Sequence, residues 1–273
     1  MHKLSNRKDH LVELLQEKGE LQVSAIAELY GISLPSVRRL CSLLEKEKRA
    51  IRIHGGLRSI QVKTDPYQFD VFDTEYAREK AAIAQYAVSL VKNRQSLFLE
   101  SGTTLKQFAI ALAGRLQKNE LSDIVIFTNS MVNLEILQHV CKVILVGGLY
   151  RPERRDFCGF LSEKLIRSLH FDVCIIGADG INLEDGIMAL DAETVRLDEL
   201  LIKNSEKTIL LSNSEKFFKN SLIPYCSVND VHLIVTDSKL PKYIQDSFIA
   251  ANVNVACVDF KESGLKGNSY YTG

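Results

Sequence analysis

Long apolar runs are missing from this sequence of 273 residues, and neither sign of charge is in excess, since 34 Lys and Arg balance 34 Asp and Glu. No stretch approaches the ~18 consecutive apolar residues of a membrane-spanning helix. Met1-His2-Lys3 is not followed by the apolar core of a signal peptide. Internal repeats and low-complexity tracts are lacking too. These absences argue against a membrane partner and against secretion, and we expect a cytoplasmic protein.

Cysteine is also scarce. The six cysteines lie at least 15 positions apart and form no Cys-x-x-Cys pair: Cys41, Cys141, Cys158, Cys174, Cys226 and Cys257. Zinc ribbons and dithiol redox motifs need close pairs. Most of the six stand in apolar surroundings, so we expect buried thiols, no bound metal and no cofactor. A metal site or a redox switch is the weaker alternative.

Positive charge is concentrated in one segment. Residues 33–58 hold seven Lys or Arg against two Glu, a net charge of +5, so the rest of the neutral chain sums to −5. A local basic patch of this kind is typical of a surface that contacts a phosphate backbone. Most Arg pairs are merely solvated charges on a surface helix. The sequence pattern around Arg38-Arg39 decides whether this pair contacts DNA or is merely solvated.

The pattern is that of a helix-turn-helix. A first amphipathic helix is predicted from Asn6 to Glu17, and Ser24 is placed to cap a short second helix. Gly31 supplies the turn into a third helix. Ser33 can cap that helix with its hydroxyl, and Pro35 fits its first turn because no hydrogen bond needs the missing N–H.

The third helix has an apolar and a basic face. At 100° per residue, the apolar side consists of Val37, Leu40, Cys41 and Leu44. Residues 51–53 then alternate and lead into His54-Gly55-Gly56, which predicts a β-wing beside this helix. We therefore predict a winged helix that binds double-stranded operator DNA through Ser33, Leu34, Pro35, Ser36, Arg38, Arg39, Ser42, Arg52, His54 and Gly55.

Length and composition fit two domains. We predict the DNA-binding domain at 1–58, a polar linker with Pro66 at 59–79, and a larger domain at 80–273. In the larger domain, short apolar runs at 97–99, 124–127, 143–146, 173–176, 209–211, 233–235 and 253–258 predict strands. Helical patterns lie near 78–93, 104–117, 130–140, 160–169, 192–205 and 241–250. Such alternation predicts a mainly parallel sheet covered on both faces.

Hydroxyls and glycines follow three successive strands. Glu100-Ser101-Gly102-Thr103-Thr104 comes directly after one strand and opens a helix, where backbone N–H groups and the helix dipole favour an anion. Thr128-Asn129-Ser130 repeats the arrangement, and Gly147-Gly148 allows close backbone approach. Each segment alone is more often an ordinary turn with a cap. Together, at the strand ends where α/β sheets bind ligands, they favour a phosphorylated small molecule.

The stretch VSAIAELYGISLPSVRRLCSLLEKEKRAIRIHGG resembles the winged helix of the DeoR family of bacterial transcriptional regulators. The positions that match the family pattern or come close to it are Ser33, Ser36, Val37, Arg38, Arg39, Leu44, His54, Gly55 and Gly56. Departures occur at Leu40 for the usual Asp, Cys41 for Leu and Lys48 for Gly. Leu40 borders the apolar face, so we expect it to be buried in the core.

The resemblance extends over the larger domain, through 101–104, 128–129, 147–148, 177–181 and 213–217. It implies an α/β protein with an N-terminal winged helix-turn-helix and a C-terminal, mainly parallel α/β sensor domain that resembles ribose-phosphate isomerases and binds a sugar phosphate. The implied effector contacts are Glu100, Ser101, Gly102, Thr103, Thr104, Thr128, Asn129, Ser130, Gly147, Gly148, Asp179 and Lys216.

Departures from the sensor pattern concern its acid-base residues. Glu100 and Asn213 stand where Asp is usual, Glu193 is one position off an acidic residue, and Asp198 is near the place of a Lys. We expect Asp198 to add negative charge beside the cradle. The sequence thus predicts a regulator without catalytic residues that binds DNA as a homo-oligomer. We expect it to repress a carbohydrate operon under the control of a sugar phosphate. A sugar-phosphate isomerase with an appended DNA-binding head, and a regulator that has lost its ligand, are the alternatives.

Overall fold

The computed structural model of the protein describes residues 2–18, 20–47, 49–53, 55–59, 61–62 and 67–260. Two compact units are present, one of residues 1–62 with 218–220 and one of residues 63–217 with 221–273. Within the described ranges, no helix is both long and apolar enough to cross a membrane. Three positions singled out in the sequence, Lys48, His54 and Pro66, lie outside the described residues.

The first unit is a winged helix-turn-helix, as predicted. Its helices are α1 (His2–Lys18), α2 (Val23–Tyr30) and α3 (Leu34–Lys46), and its antiparallel sheet has the order β1 (Glu20–Gln22), β3 (Gly56–Ser59), β2 (Ala50–Ile53). The core between them consists of Leu11, Leu15, Ile26, Val37, Leu40, Cys41, Leu44, Ala50 and Leu57. The expected burial of Leu40 is confirmed, with 3% of it exposed.

Two predicted helix caps are wrong. Helix α2 begins at Val23 after Gln22, so Ser24 lies inside the helix and does not cap it. Ser33 occupies the N-cap position of α3, but its hydroxyl makes no cap hydrogen bond and lies 2.9 Å from the Ser36 hydroxyl. The turn at Gly31 is confirmed, since its φ of 59° is left-handed and its N–H bonds back into α2.

The second unit is built on a seven-stranded parallel sheet. Strand β4 (Gln61–Val62) belongs to the first unit and is not part of this sheet. The seven strands of the sheet, in sheet order, are β17 (Val255–Val258), β16 (Leu233–Asp237), β13 (Ser205–Leu211), β10 (Phe171–Ile176), β5 (Ser96–Leu99), β6 (Val125–Thr128) and β7 (Lys142–Leu145). All seven predicted strands are confirmed. Their apolar residues alternate between two cores because a strand turns successive side chains to opposite faces.

Helices cover both faces of this sheet. They are α4 (Phe69–Thr74), α5 (Ala77–Ser89), α6 (Thr103–Gln117), α7 (Met131–Leu137), α8 (Phe160–Ile166), α9 (Ala192–Lys203) and α10 (Lys242–Ala250). Helices α5, α6 and α7 contribute to one core, and α8, α9 and α10 to the other. The six predicted helices are confirmed, and α4 is an additional helix inside the stretch predicted as a linker.

Short strands complete the fold. A hairpin joins β8 (Leu149–Arg151) to β9 (Asp156–Cys158), and a small antiparallel sheet has the order β11 (Gly180–Asn182), β12 (Gly186–Ala189), β15 (Ile223–Cys226). Strand β14 (Lys219–Asn220) pairs in parallel with β4 within the first unit. Short 3-10 helices span Ser214–Phe218 and Val228–Asp230.

The order of the parallel strands reverses beside β5. From β5 the chain proceeds outward through β6 and β7, whereas β10, β13, β16 and β17 follow one another on the other side. Such a reversal leaves a crevice at the carboxyl ends of the two strands where it occurs, here β5 and β10. The segments after these strands, beginning at Glu100 and Gly177, therefore border the expected ligand-binding position.

Candidate functional site

The basic face of α3 is exposed. Ser33, Leu34, Pro35, Ser36, Arg38 and Arg39 all lie on the solvent side, while Val37, Leu40, Cys41 and Leu44 face the core. No ion pair links Arg38 or Arg39 to a described residue. Their guanidinium groups are therefore available to phosphates or to base edges, which Arg contacts in the major groove.

The wing lies against the same helix. Arg52, on β2, donates from Nη1 to the Ser42 hydroxyl of α3 at 2.6 Å, which joins two of the predicted DNA contacts. Gly55 is exposed at the turn of the hairpin with φ of 78°, a conformation that favours glycine. His54, the neighbouring predicted contact, lies outside the described residues.

Glu100 lies at the crevice between β5 and β10. Its Oε2 accepts a hydrogen bond from the Gly177 N–H at 3.0 Å, so the carboxyl joins the ends of both strands. Burial raises the pKa of Glu100 to about 7, against the opposing effect of that N–H, and only 5% of the residue is exposed. Glu100 is thus protonated in a large fraction of molecules near neutral pH.

Helix α6 begins beside Glu100. Gly102 has a φ of 125°, and the first helical donor is the Lys106 N–H, which bonds to the Gly102 carbonyl at 2.9 Å. The N–H groups of residues 103–105 precede it and have no partner within the helix. Thr103 and Thr104 are buried in this first turn. The start of α6 thus has the backbone arrangement from which an anion cradle was predicted, and the cradle itself stays a prediction.

Three of the hydroxyls predicted as effector contacts form hydrogen bonds within the chain. Thr128 donates to the Leu99 carbonyl at 2.6 Å, and Ser130 caps α7 by accepting from the Asn133 N–H. Ser101 donates to Asp156 Oδ2 at 2.6 Å. Asn129 differs, because its amide nitrogen bonds to the Phe157 carbonyl while its buried Oδ1 finds no partner among the described residues.

The two predicted glycines at the end of β7 have different surroundings. A Cβ on Gly148 would lie 2.4 Å from both the Cys158 carbonyl oxygen and the Ser162 hydroxyl, so the close approach it allows is to β9 and α8. A Cβ on Gly147 would meet nothing within 4 Å. The glycine requirement at Gly148 is therefore explained by packing within the chain.

Asp179 and Lys216 come together across the crevice, with Lys216 Nζ 3.5 Å from Asp179 Oδ1. Asp179 Oδ2 accepts from the Leu190 N–H, which fixes the carboxylate. Asp198, which was expected to add negative charge, is 1% exposed, and burial, reinforced by Glu100, raises its pKa well above the usual range and so favours the neutral form.

Sequence reasoning missed an ion-pair network contributed by the β8–β9 hairpin. Arg151 makes a two-pronged contact with Asp156, 2.8 Å at each prong, and a further 2.7 Å contact with Asp191. Arg154 lies 3.1 Å from Asp191, and its buried Nε makes no hydrogen bond to a described residue. The run Arg-Pro-Glu-Arg-Arg-Asp at 151–156 was the available signal, because charges this dense rarely occupy a purely structural hairpin.

Two further residues at the crevice carried no sequence signal. Tyr67 has its hydroxyl near the Thr103 side chain and its ring under Arg154, whose Cζ is 4.4 Å from the ring centroid. Lys80, in α5, is 5% exposed and donates to the Phe72 carbonyl. Both belong to the stretch around the predicted linker, where no motif pointed to a site.

The cysteines are not paired with one another. All six cysteines are free thiols; Cys41, Cys158 and Cys174 are buried, and Cys141, Cys226 and Cys257 are half-buried. In the part of the chain that the structure describes, no group of three or more His, Cys, Asp or Glu is arranged to hold a metal ion.

Comparison with known proteins agrees with both units. A family profile for a DeoR-like helix-turn-helix domain matches residues 7–63, and one for the DeoR C terminal sensor domain matches residues 75–238. The chain is 27% identical to the glycerol-3-phosphate regulon repressor of Escherichia coli K12, over 88% of this chain and 93% of that one. It is equally identical to the transcriptional repressor AccR of Agrobacterium fabrum, with 90% and 97% covered.

Among solved structures, ribose 5-phosphate isomerase A of Methanocaldococcus jannaschii is similar at 16% identity and a TM-score of 0.38, covering 50% of this chain and 52% of that chain. This likeness is too slight to support an isomerase. The two profile matches cover most of the chain, and the relatives over its whole length are regulators. The chain belongs to the DeoR family of DNA-binding transcriptional regulators.

Proposed function

We propose that this regulator represses an operon of carbohydrate metabolism and that a phosphorylated sugar, bound at the crevice between β5 and β10, controls it. One observation carries the proposal. A single chain combines an exposed basic helix on a winged helix-turn-helix with a strand-order reversal whose edge presents Lys216, Arg154 and the free N–H groups at the start of α6. The first feature suits DNA and the second suits an anion.

On the DNA side, α3 is the proposed recognition helix. Arg38 and Arg39 are the proposed contacts to base edges or phosphates, with Ser33, Ser36 and Ser42 beside them on the exposed or half-buried side. Arg52 holds the wing to this helix through Ser42, and Gly55 forms the turn of the wing's hairpin. One such module covers only a half-site, so the proposed operator contains repeated or palindromic half-sites.

On the effector side, the first turn of α6 and Lys216 are proposed to hold the phosphate. Asn129 is proposed to accept a hydrogen bond from a sugar hydroxyl, because its buried Oδ1 is unpartnered. Asp179 is proposed as a second hydroxyl acceptor. Thr128, Ser130 and Gly148 are proposed to support the cradle without contacting the ligand. The hydroxyls of Thr128 and Ser130 form hydrogen bonds within the chain, and Gly148 is closely packed against other residues of the chain.

The relatives support the carbohydrate class. The Escherichia coli relative is named as a repressor of a glycerol-3-phosphate regulon, and glycerol 3-phosphate is a phosphate ester of a polyol. The chain's own crevice has the donors that such a ligand needs and also several carboxylates, which repel a dianion unless they are paired or protonated. Arg151 and Arg154 pair two of them, and burial raises the pKa of Glu100 and of Asp198, which favours their neutral forms.

The test is a thermal-shift screen of the full chain with ribose 5-phosphate, fructose 1-phosphate, glycerol 3-phosphate and the matching unphosphorylated sugars. A ligand that binds only the folded state raises the melting temperature by mass action. We expect at least one phosphate ester to do so and its unphosphorylated partner not to. If none of the phosphates binds while operator DNA does, the sensor has lost its ligand and the alternative stands.

We further propose that the regulator acts as a homo-oligomer. The β8–β9 hairpin and α8 expose an apolar patch of Leu149, Tyr150, Phe160, Leu161 and Leu165, with Phe160 73% and Leu149 68% exposed. A Cβ on Gly159, just before α8, would lie 3.8 Å from the Leu149 Cβ, so the two elements adjoin. We estimate the patch at roughly 500 Å², from side chains of about 150–250 Å² each, which with a polar rim approaches one side of a dimer interface.

A second copy of this chain is the proposed occupant of the patch, because palindromic half-sites call for a two-fold axis and a two-fold interface uses the same patch on both subunits.

We also propose that the regulator acts in the cytoplasm, because it is proposed to bind operator DNA there.

A further inference from the structure

Residues 67–74, consisting of Tyr67, Gln68 and α4, cover part of the crevice and are called the cap segment here. Its backbone is held by the Phe69 N–H, which donates to the Glu153 carbonyl at 2.8 Å. Its outer side is held by Asp73, whose Oδ2 lies 2.5 Å from Lys106 Nζ. The segment thus has two tethers that are independent of the groups it covers.

Tyr67 occupies polar groups of the crevice. Its hydroxyl lies near the Thr103 side chain in the first turn of α6, the place proposed for a phosphate. Arg154 lies over its ring at 4.4 Å, and the Nε of this arginine makes no hydrogen bond to a described residue. A tyrosine hydroxyl and a ring face are weak substitutes for the oxygens of an anion.

Phe72 occupies a lysine of the crevice, Lys80. Its carbonyl oxygen accepts from Lys80 Nζ at 2.5 Å. Lys80 is 5% exposed, and among the described residues no carboxylate lies within ion-pair distance of its Nζ; Asp73, Glu75 and Glu79 act on it only from farther away. Burial and the neighbouring Lys216 lower the pKa of Lys80 to about 8. A buried cation without a counter-ion is costly, and a bound anion would offset that cost.

The groups that the cap segment covers lie next to one another. The rings of Tyr67 and Phe72 stack with centroids 5.1 Å apart, and Lys216 Nζ lies 5.9 Å from the Phe72 ring centroid. The cap segment therefore covers a hydroxyl, an arginine and two lysines along one side of the crevice. Each of these groups is a donor, which is the chemistry that a phosphate ester requires.

We propose that Lys80, Arg154 and Thr103 are contacts of the phosphorylated effector, and that the effector competes with the cap segment for them. This inference rests on the proposed function and adds residues and a consequence to it. Phosphate oxygens replace the Phe72 carbonyl on Lys80 and the Tyr67 hydroxyl on Thr103, which releases the segment. Only residues 63–66 separate the segment in sequence from the DNA-binding unit, so its release provides a route from ligand to DNA.

Two lysines that hold the same segment give a matched test. Lys80→Met removes a proposed effector contact, whereas Lys106→Met removes only the outer tether to Asp73. Calorimetric titration of the full chain with inorganic phosphate, and with the ester found in the screen, should show binding at least 10-fold weaker in Lys80→Met. Lys106→Met should bind about 3-fold more tightly or better, because the competing segment is held less firmly. Tyr67→Phe should also bind more tightly.

Hydrogen exchange on the unaltered chain tests the same competition without a variant. Saturating phosphate ligand should increase amide exchange in 67–74 while it slows exchange at the start of α6. Unchanged affinity in both lysine variants, or protection of 67–74 by the ligand, would overturn the inference while leaving sugar-phosphate control intact. Absence of binding by every phosphate tested on the unaltered chain would overturn both.

Discussion

Glu100 is a residue whose protonation differs between the folded and the unfolded chain. Burial raises its folded pKa to about 7, compared with about 4.3 for an unperturbed Glu. Between these values the folded chain keeps a proton that the unfolded chain releases, so the free energy of unfolding falls as pH rises through the window. The stability from this group is complete below pH 4.3 and is lost through pH 7.

Glu100→Gln tests this assignment, because the amide cannot ionise and its oxygen can still accept from the Gly177 N–H. We expect the unaltered chain to lose on the order of 3 kcal/mol of this contribution between pH 4.5 and 8, and the variant to lack that loss. Urea unfolding at both pH values measures it. Glu120→Gln, at an exposed carboxyl, is the control. Parallel pH profiles for Glu100→Gln and the unaltered chain would show that Glu100 does not titrate in this range.

Arg38 and Arg39 are the residues on which DNA recognition should depend. We expect Arg38→Ala or Arg39→Ala to weaken operator binding by roughly 1–3 kcal/mol if the side chain reads a base. If it contacts only phosphate, the loss should be the same on all sequences and the salt dependence shallower. Fluorescence anisotropy at several salt concentrations separates these cases. Arg94→Ala, exposed in the other unit, is the control, and undiminished binding in both α3 variants would contradict the recognition-helix assignment.

At the residue scale, the sequence predicted the chain's turns better than the hydrogen bonds of its side chains. Gly31, Gly102 and the segments after β5 and β6 are where strand ends and turn residues placed them. The use of each hydroxyl was not predictable, because Ser101 and Thr128 bond to partners 55 and 29 positions away. Contacts of that sequence separation depend on how elements meet.

Among the elements, the seven parallel strands were predictable because each contains a short apolar run, and in the central strands β5 and β10 this run is almost completely buried. The short antiparallel strands were not, since β8, β9 and β11 have three residues each and too little alternation to read. Helix α4 has six residues, two of them Asp, in a stretch otherwise typical of a linker. These unpredicted elements supply Arg151, Asp156 and the cap segment, so the part of the site that sequence missed lies mostly on them.

The exposed face of α8 leads to a prediction about assembly. Phe160→Glu places a charge in the centre of the apolar patch, which a dimer interface would have to desolvate. We expect a shift from dimer to monomer in light scattering coupled to gel filtration, and weaker binding to a two-half-site operator. Ile110→Glu, at an exposed apolar residue of α6, is the control. A variant dimer as stable as the unaltered one would place the interface elsewhere.

For the whole molecule, the arrangement of acids predicts binding without turnover. Aldose–ketose isomerisation needs a base at the sugar carbons and a donor for the developing oxyanion. Glu100 is engaged with the Gly177 N–H, Asp198 is buried with a pKa well above its usual range, and Lys216, which lies 3.5 Å from Asp179, is proposed to hold the phosphate rather than the reacting oxygen. We expect no conversion of ribose 5-phosphate above the buffer background in an NMR time course. Conversion at enzyme-like rates would restore the isomerase alternative.

Control of DNA binding by an effector requires that the effector prefer one state of the molecule, and the preference must be reciprocal. If the effector weakens operator binding by some factor, typically about 5–150-fold, then operator DNA must weaken effector binding by the same factor. We expect equal factors from anisotropy titrations of DNA with and without the effector, and from calorimetric titrations of the effector with and without a saturating operator duplex. Lys106→Met should change both factors together, because loosening the cap segment alters the equilibrium that links them. Effector affinity that is the same with and without operator would mean that the bound sugar phosphate does not control this regulator.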